Sequence, residues 1–185
     1  SMIGFIALAK QRPGQLNFAA SLSGVPLMAG LDFANRAGIK WTYITGRGGM
    51  QTIMDVVSGQ ADVFFNGMLP TVPFIKSGRL RLLAVSSDKR VAGFLDTPTI
   101  AESGMPGFEV GSWLGIVGPA GIPAPVVSRL SQEISKAVQT PETRARLLDL
   151  GAEVVAEPPA VFAAFIRREI DTFGKFVREA GLKFD

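Results

Sequence analysis

The residues of this sequence best suited to chemistry are small and mostly neutral. Ala20, Ser21, Ser23 and Gly24 lie in one loop, Gly48 and Gly49 beside Arg47 in a second, and Asn66 opens a third. Hydroxyls, side-chain amides and bare backbone N–H groups hold an anion by donating hydrogen bonds to it. Arg47 could add a bidentate fork to a carboxylate. Each residue also has a purely structural reading: the serines as helix caps, the glycines as a tight turn, Arg47 as a solvated side chain, Asn66 as a cap for the next turn. The absences narrow the chemistry further. Without Cys there is no thiolate nucleophile, disulfide or Cys-bound zinc, and without His there is no imidazole base, Ser-His-Asp triad or His-bound metal. Asp55 and Asp62 remain as candidate carboxylate bases, neither with an evident partner in its own strand–helix unit. An enzyme is therefore the weakest reading, and no catalytic residue, metal or cofactor is assigned.

The elements that must position these loops are legible in the stretch 41–67. Residues 41–45 are aromatic and β-branched, as in a buried strand. Met50, Ile53, Met54 and Val57 then recur at i, i+3, i+4 and i+7, one apolar helix face. Gly59 stops that helix, and residues 61–66 form the next short apolar strand. A β-α-β unit of this length makes its strands parallel and its crossover right-handed. The helix N-terminus consequently points into the crevice at the strands' carboxyl ends, where its free N–H groups favour an anion.

The pattern extends both ways. Helix 1–11 starts on Ser1, strand 16–20 and the small-residue loop 21–26 follow, and helix 27–37 stops at Gly38. After helix 71–76, residues 80–86 read as a further buried strand. This α-β-α-β-α-β-α-β order predicts a mostly parallel sheet with helices on both faces. The loops 20–24, 46–49 and 66–68 should then share one edge. Beyond it, a helical turn near Thr97-Pro98 precedes an extended stretch, 108–117, carrying Trp113, and a Gly/Pro-rich boundary at 118–125. Helices 126–138, 141–150 and 159–180 and a short strand at 152–156 complete the chain. Phe162, Phe165, Phe173 and Phe176 form the packing stripe of the last helix, while Arg12, Arg36 and Arg90 read as solvated. Helices with one clear strand make half of an α/β domain; the alternative joins 108–117 and 152–156 to the first sheet as one domain.

The chain is 185 residues, 47% apolar and 19% charged, with a net charge of +3 spread without a basic block, which disfavours nucleic acid as a partner. No apolar run reaches the roughly 18 residues of a membrane span. The opening SMIGFIALAK has neither a basic leader region nor a cleavage site, as expected of a cytosolic protein or of a chain whose N-terminus lies further upstream.

Several motifs, in order, carry a family resemblance: PGQLNFAAS, MAGLDF, GRGG followed by SGQADVFFN, IKSGRLRLLAVSS, DTPTIAESGMPGFEVGSWLGIVGPAGIP and LGAEVV. Over essentially the whole chain these resemble the substrate-binding proteins of tripartite tricarboxylate transporters, the Bug-type receptors. The resemblance implies an α/β, type II periplasmic binding protein-like fold that closes on a small organic carboxylate, a periplasmic location and delivery to membrane permease subunits. It further implies that residues 1–111 are the complete second lobe and 112–185 the crossover and C-terminal part of the first, with about a third of the protein missing upstream. Trp113 would sit at the crossover, and a homodimer would cover the apolar surface that incomplete lobe exposes. The chain departs from the family where relatives have a histidine in the first loop and Pro-Tyr before the basic residue; here those loops read SLSGVP and Ile44-Thr45-Gly46-Arg47. The ligand-binding expectation is Ala20, Ser21, Ser23, Gly24, Arg47, Gly48, Gly49, Asn66 and Trp113. The alternative function is the ligand-sensing domain of a transcription regulator with the same fold.

Overall fold

The computed structural model describes residues 1–21, 24–46 and 48–179. Helix α1 (Met2–Gln11) leads to β1 (Asn17–Ser21), α2 (Val25–Ala37), β2 (Thr42–Gly46), α3 (Gly49–Val57), β3 (Val63–Phe64) and α4 (Met68–Lys76). The three strands are parallel in the order β2-β1-β3, with Asn17 opposite Thr42, Ser21 opposite Gly46 and Phe18 opposite Val63. The chain runs from β1 out to β2 and back across to β3, so the direction of winding reverses between β1 and β3. In an open parallel sheet such a reversal leaves a crevice at the strands' carboxyl ends.

Aromatic packing holds this sheet under its helices. Phe18 and Phe33 are fully buried, and Trp41 stacks on both, at centroid separations of 4.6 and 5.9 Å. Phe33 also meets Phe65 and Phe108 at 5.7 and 6.2 Å. Helix α2 approaches β1 so closely that a Cβ on Gly30 would fall 2.1 Å from the Phe18 ring, which explains a glycine in mid-helix. Met2, Ala9, Leu16, Ile39, Ile100 and Met105 complete the core.

Three expected strands are absent from the ladders among the described residues. In the 80–86 stretch only Val85 makes a bridge, to Thr99, and no ladder joins it to β3. Its backbone is held elsewhere: Ile100 N–H donates to Val85, Val85 N–H to Pro98, and Val110 N–H to Ser86. Residues 108–117 and 152–156 likewise form no ladder. The turn expected near Thr97-Pro98 starts at Thr99, whose hydroxyl accepts from Glu102 N–H while the Glu102 carboxylate accepts from Thr99 N–H, a reciprocal capping box.

The chain divides into two compact units. One comprises Ser1–Trp113 with Asp149–Ala152, the other Leu114–Leu148 with Glu153–Asp185. In the first, Lys76 pairs with Asp149 at 2.6 Å. The second carries α5 (Ala124–Gln139), most of α6 (Pro141–Asp149) and α7 (Pro159–Glu179), with α5 packed on α7. No described residue after Phe108 is buried. Phe162, Phe165 and Phe173 are only half-buried, so the expected core stripe is not fully covered among the described residues; the side chain of Phe176 lies outside the described set. Arg36 and Arg90 are exposed but tied, Arg36 to Asp32 and over the Phe108 ring, Arg90 to Glu102 and the Leu95 carbonyl. Among the described residues no helix is long and apolar enough to cross a membrane.

Candidate functional site

Three helices start at the carboxyl edge of the sheet, each directly after a strand. Helices α2, α3 and α4 have Gly24, Gly48 and Gly67 as N-caps, so the capping residue offers no side-chain oxygen, and none has an acidic residue in its first turn. Their first N–H groups have no partner within the helix, and the helix dipoles add partial positive charge there. Elsewhere in the same unit, Ser1 caps α1 with its hydroxyl and Glu102 closes the 99–102 turn. Gly24 (φ 96°, ψ −179°) and Gly48 (φ 140°, ψ 170°) sit in backbone conformations essentially reserved for glycine.

Of the expected residues that are described, Ser21, Gly48, Gly49 and Asn66 lie along one edge of the sheet, but only Asn66 lines the pocket there. Ser21 ends β1 directly opposite Gly46, so the first two loops are neighbours on one edge. Ser21 belongs to the strand and does not cap α2, whose N-cap is Gly24. The Asn66 amide donates to the Gly49 carbonyl at 3.0 Å, tying the third loop to the second, while its oxygen accepts from Gly67 N–H at 2.8 Å. Asn66 is therefore a clamp between loops. The Thr52 hydroxyl bonds the Gly48 and Gly49 carbonyls from the first turn of α3. Ser23 and Arg47 lie outside the described residues. Trp113 is 41% exposed and does not line the pocket formed here.

That pocket lies at the winding reversal. Val25, Pro26 and Ala29 of α2, then Phe65, Asn66 and Gly67 at the exit of β3, line it together with Ser86, Val110 and Ser112. Its volume is about 50 Å³. At roughly 10–15 Å³ per water, that is room for a few waters. Ser86, Val110 and Ser112 were missed in the sequence. Ser86 was within reach, since it ends the 80–86 stretch and the carboxyl-end rule applies to it equally. Val110 and Ser112 are tied to the site through Ser86, whose carbonyl accepts from Val110 N–H at 2.9 Å and whose Oγ donates to the Val110 carbonyl at 2.6 Å, a contact 24 residues apart.

Neither candidate base is set up for proton transfer. Asp62 accepts from Asn17 N–H at 2.7 Å, pinning the start of β1. Asp55 does have a partner in its own helix, Gln51, whose amide donates to it at 2.7 Å. No group of three potential metal-binding side chains occurs among the described residues.

Comparison with known proteins identifies the fold and the family. A protein from Pseudomonas sp. (strain P51), named for the tcbD-tcbE intergenic region in which it is encoded, is 34% identical over 173 residues, covering 92% of this chain and 52% of the relative. Rpa4515 of Rhodopseudomonas palustris, solved with adipate, superposes with a TM-score of 0.92 at 27% identity, over 98% of this chain and 61% of that one. MatC from the same organism, with bound malate, gives 0.82 at 28% identity over 94% and 60%. The chain thus has the mixed α/β, parallel-sheet fold of periplasmic binding proteins, and it spans about half the length of the curated relatives it matches. The family model described as "Tripartite tricarboxylate transporter family receptor" matches residues 1–182, and the chain belongs to that family, one of solute-binding receptors rather than enzymes.

Proposed function

We propose that this chain forms part of an extracytoplasmic receptor that captures a small organic carboxylate for a tripartite tricarboxylate-type transporter, working in the periplasm and handing its ligand to membrane permease subunits. The observation that carries this reading is the set of three glycine-started helices, α2, α3 and α4, on the carboxyl edge of one parallel sheet. Their first-turn N–H groups, with the Ser21 hydroxyl and backbone, Gly24, Gly48 and Gly49, would hold the ligand's carboxylate. Fixed dipoles suit a transport receptor because they stabilise an anion without a buried countercharge, so the ligand can leave again. On this reading the unit containing the sheet is one lobe of a two-lobed receptor. The second unit, with no buried residue among those described, is part of the other lobe.

The neighbours with adipate and malate make aliphatic diacids the ligand class to try first. The regulator alternative gains no support, because the matching family is a transporter receptor. Calorimetric titration of the chain with di- and tricarboxylates, aromatic acids and amino acids tests the proposal. Saturable binding of at least one carboxylate is expected. No heat from any of them, with no rise in unfolding temperature at millimolar ligand, contradicts it.

A further inference from the structure

Tyr43 lies on the edge strand β2, opposite Phe18 in the parallel register. Its ring sits 6.1 Å from the Phe18 ring, and its hydroxyl reaches along β1 to the Ser21 carbonyl at 2.8 Å and the Ala20 carbonyl at 3.2 Å. These are the carbonyls of the last two residues of β1. Burial raises the phenol's pKa above its ordinary value, with the hydrogen-bonded Thr45 hydroxyl pulling the other way, so the group stays a neutral donor through the physiological range.

We propose that Tyr43 is a positioning residue for the binding edge: its hydroxyl latches the two carbonyls that end β1 and so fixes the peptide planes with which the strand enters the site. A peptide unit is planar, so holding a carbonyl also sets the direction of the N–H on the same unit. Recognition by backbone groups works only if those groups are oriented before the ligand arrives. Asn66 and Thr52 hold the 46–49 loop in the same manner, through the Gly48 and Gly49 carbonyls. The latch rests on the reading of this edge as a carboxylate site and adds a residue that touches no ligand.

The test compares Tyr43→Phe, which keeps the ring and removes only the hydroxyl, with Thr42→Val. Thr42 makes the equivalent bond at the opposite end of the same strand, its hydroxyl donating to the Gly14 carbonyl at 2.8 Å. Thr42→Val removes one hydrogen bond, and Tyr43→Phe the hydroxyl's donation shared between two carbonyls and its bond with Thr45, so both should lower stability by small amounts. Tyr43→Phe alone should weaken adipate binding, by about fivefold for one hydrogen bond, and speed amide exchange in peptides covering residues 18–25. Wild-type binding with unchanged affinity in Tyr43→Phe overturns the latch and leaves the function standing. Unchanged amide exchange overturns the latch without reference to any ligand. A wild-type chain that binds neither adipate nor any other carboxylate overturns the function, and with it the role of Tyr43 in binding.

Discussion

Replacing Gly48 by alanine isolates the contribution of backbone conformation to this edge. At φ 140° and ψ 170° the residue occupies a region essentially closed to L side chains. Yet a Cβ built there meets no atom within 4 Å, so the substitution adds strain and no clash. Holding a non-glycine residue in such a region costs about 1–3 kcal/mol. For a chain of this size that corresponds to a fall in Tm of roughly 2–12 °C, taking about 2–4 °C per kcal/mol. Relief of the strain requires rotation about the Gly48 N–Cα bond, which, where the helix side takes it up, turns the Gly48 carbonyl. That carbonyl accepts from Thr52 N–H at 3.1 Å, the first bond of α3, and from the Thr52 hydroxyl at 3.2 Å. Rotation would fray the helix start and misdirect its free N–H groups. Gly14→Ala is the matched control, because Gly14 also has positive φ (74°) and open space around its Cβ, in the turn between α1 and β1. Thermal unfolding and titration with adipate should show both variants destabilised but only Gly48→Ala weakened in binding, by about tenfold for each 1.4 kcal/mol of lost contact. Equal binding losses in the two variants, or a Gly48→Ala chain of unchanged stability, would refute the reasoning.

Two further outcomes follow from the packing and the charges. Phe33→Ala empties the centre of the aromatic cluster and should cost about 3–5 kcal/mol, read as a shift in the urea midpoint; a loss under about 1 kcal/mol would show that Phe33 does not organise the core. Glu102 is held below the usual carboxylate range, first by its hydrogen bond from Arg90 and then by that from Thr99 N–H. Its stabilising effect should be complete above the unfolded carboxyl pKa and fade as the pH falls through the depressed folded value; a Glu102 NMR titration at or above the ordinary glutamate pKa contradicts this.

Much of this was legible locally. Glycine turns, the i, i+3, i+4, i+7 face of α3 and the alternation of elements placed β1, β2 and β3 to within a few residues, because each depends on chain within ten or twenty positions. What escaped depends on distant contacts. The 80–86 stretch has a strand's composition but spends its hydrogen bonds on residues 98–100 and 110. Asn66 was read as facing a ligand or capping the next turn, and its oxygen does accept from Gly67 N–H, but its clamp on a carbonyl 17 residues away was not visible. Tyr43 looked like one more aromatic of a buried strand, since nothing near it in sequence shows that its hydroxyl ends on the Ser21 carbonyl. The half-buried phenylalanines of α7 follow a faultless helical stripe, but a stripe specifies a face and not what lies against it.

The central claim is that backbone N–H groups at the carboxyl edge of the sheet recognise a carboxylate. An amide-resolved NMR titration of the chain with adipate, with dimethyl adipate as the uncharged control, tests it most directly. The account predicts saturable shifts concentrated at Ser21, Gly24, Gly48, Gly49 and Gly67, absent with the ester. Shifts centred elsewhere on the molecule, or the same shifts with the ester, would contradict it.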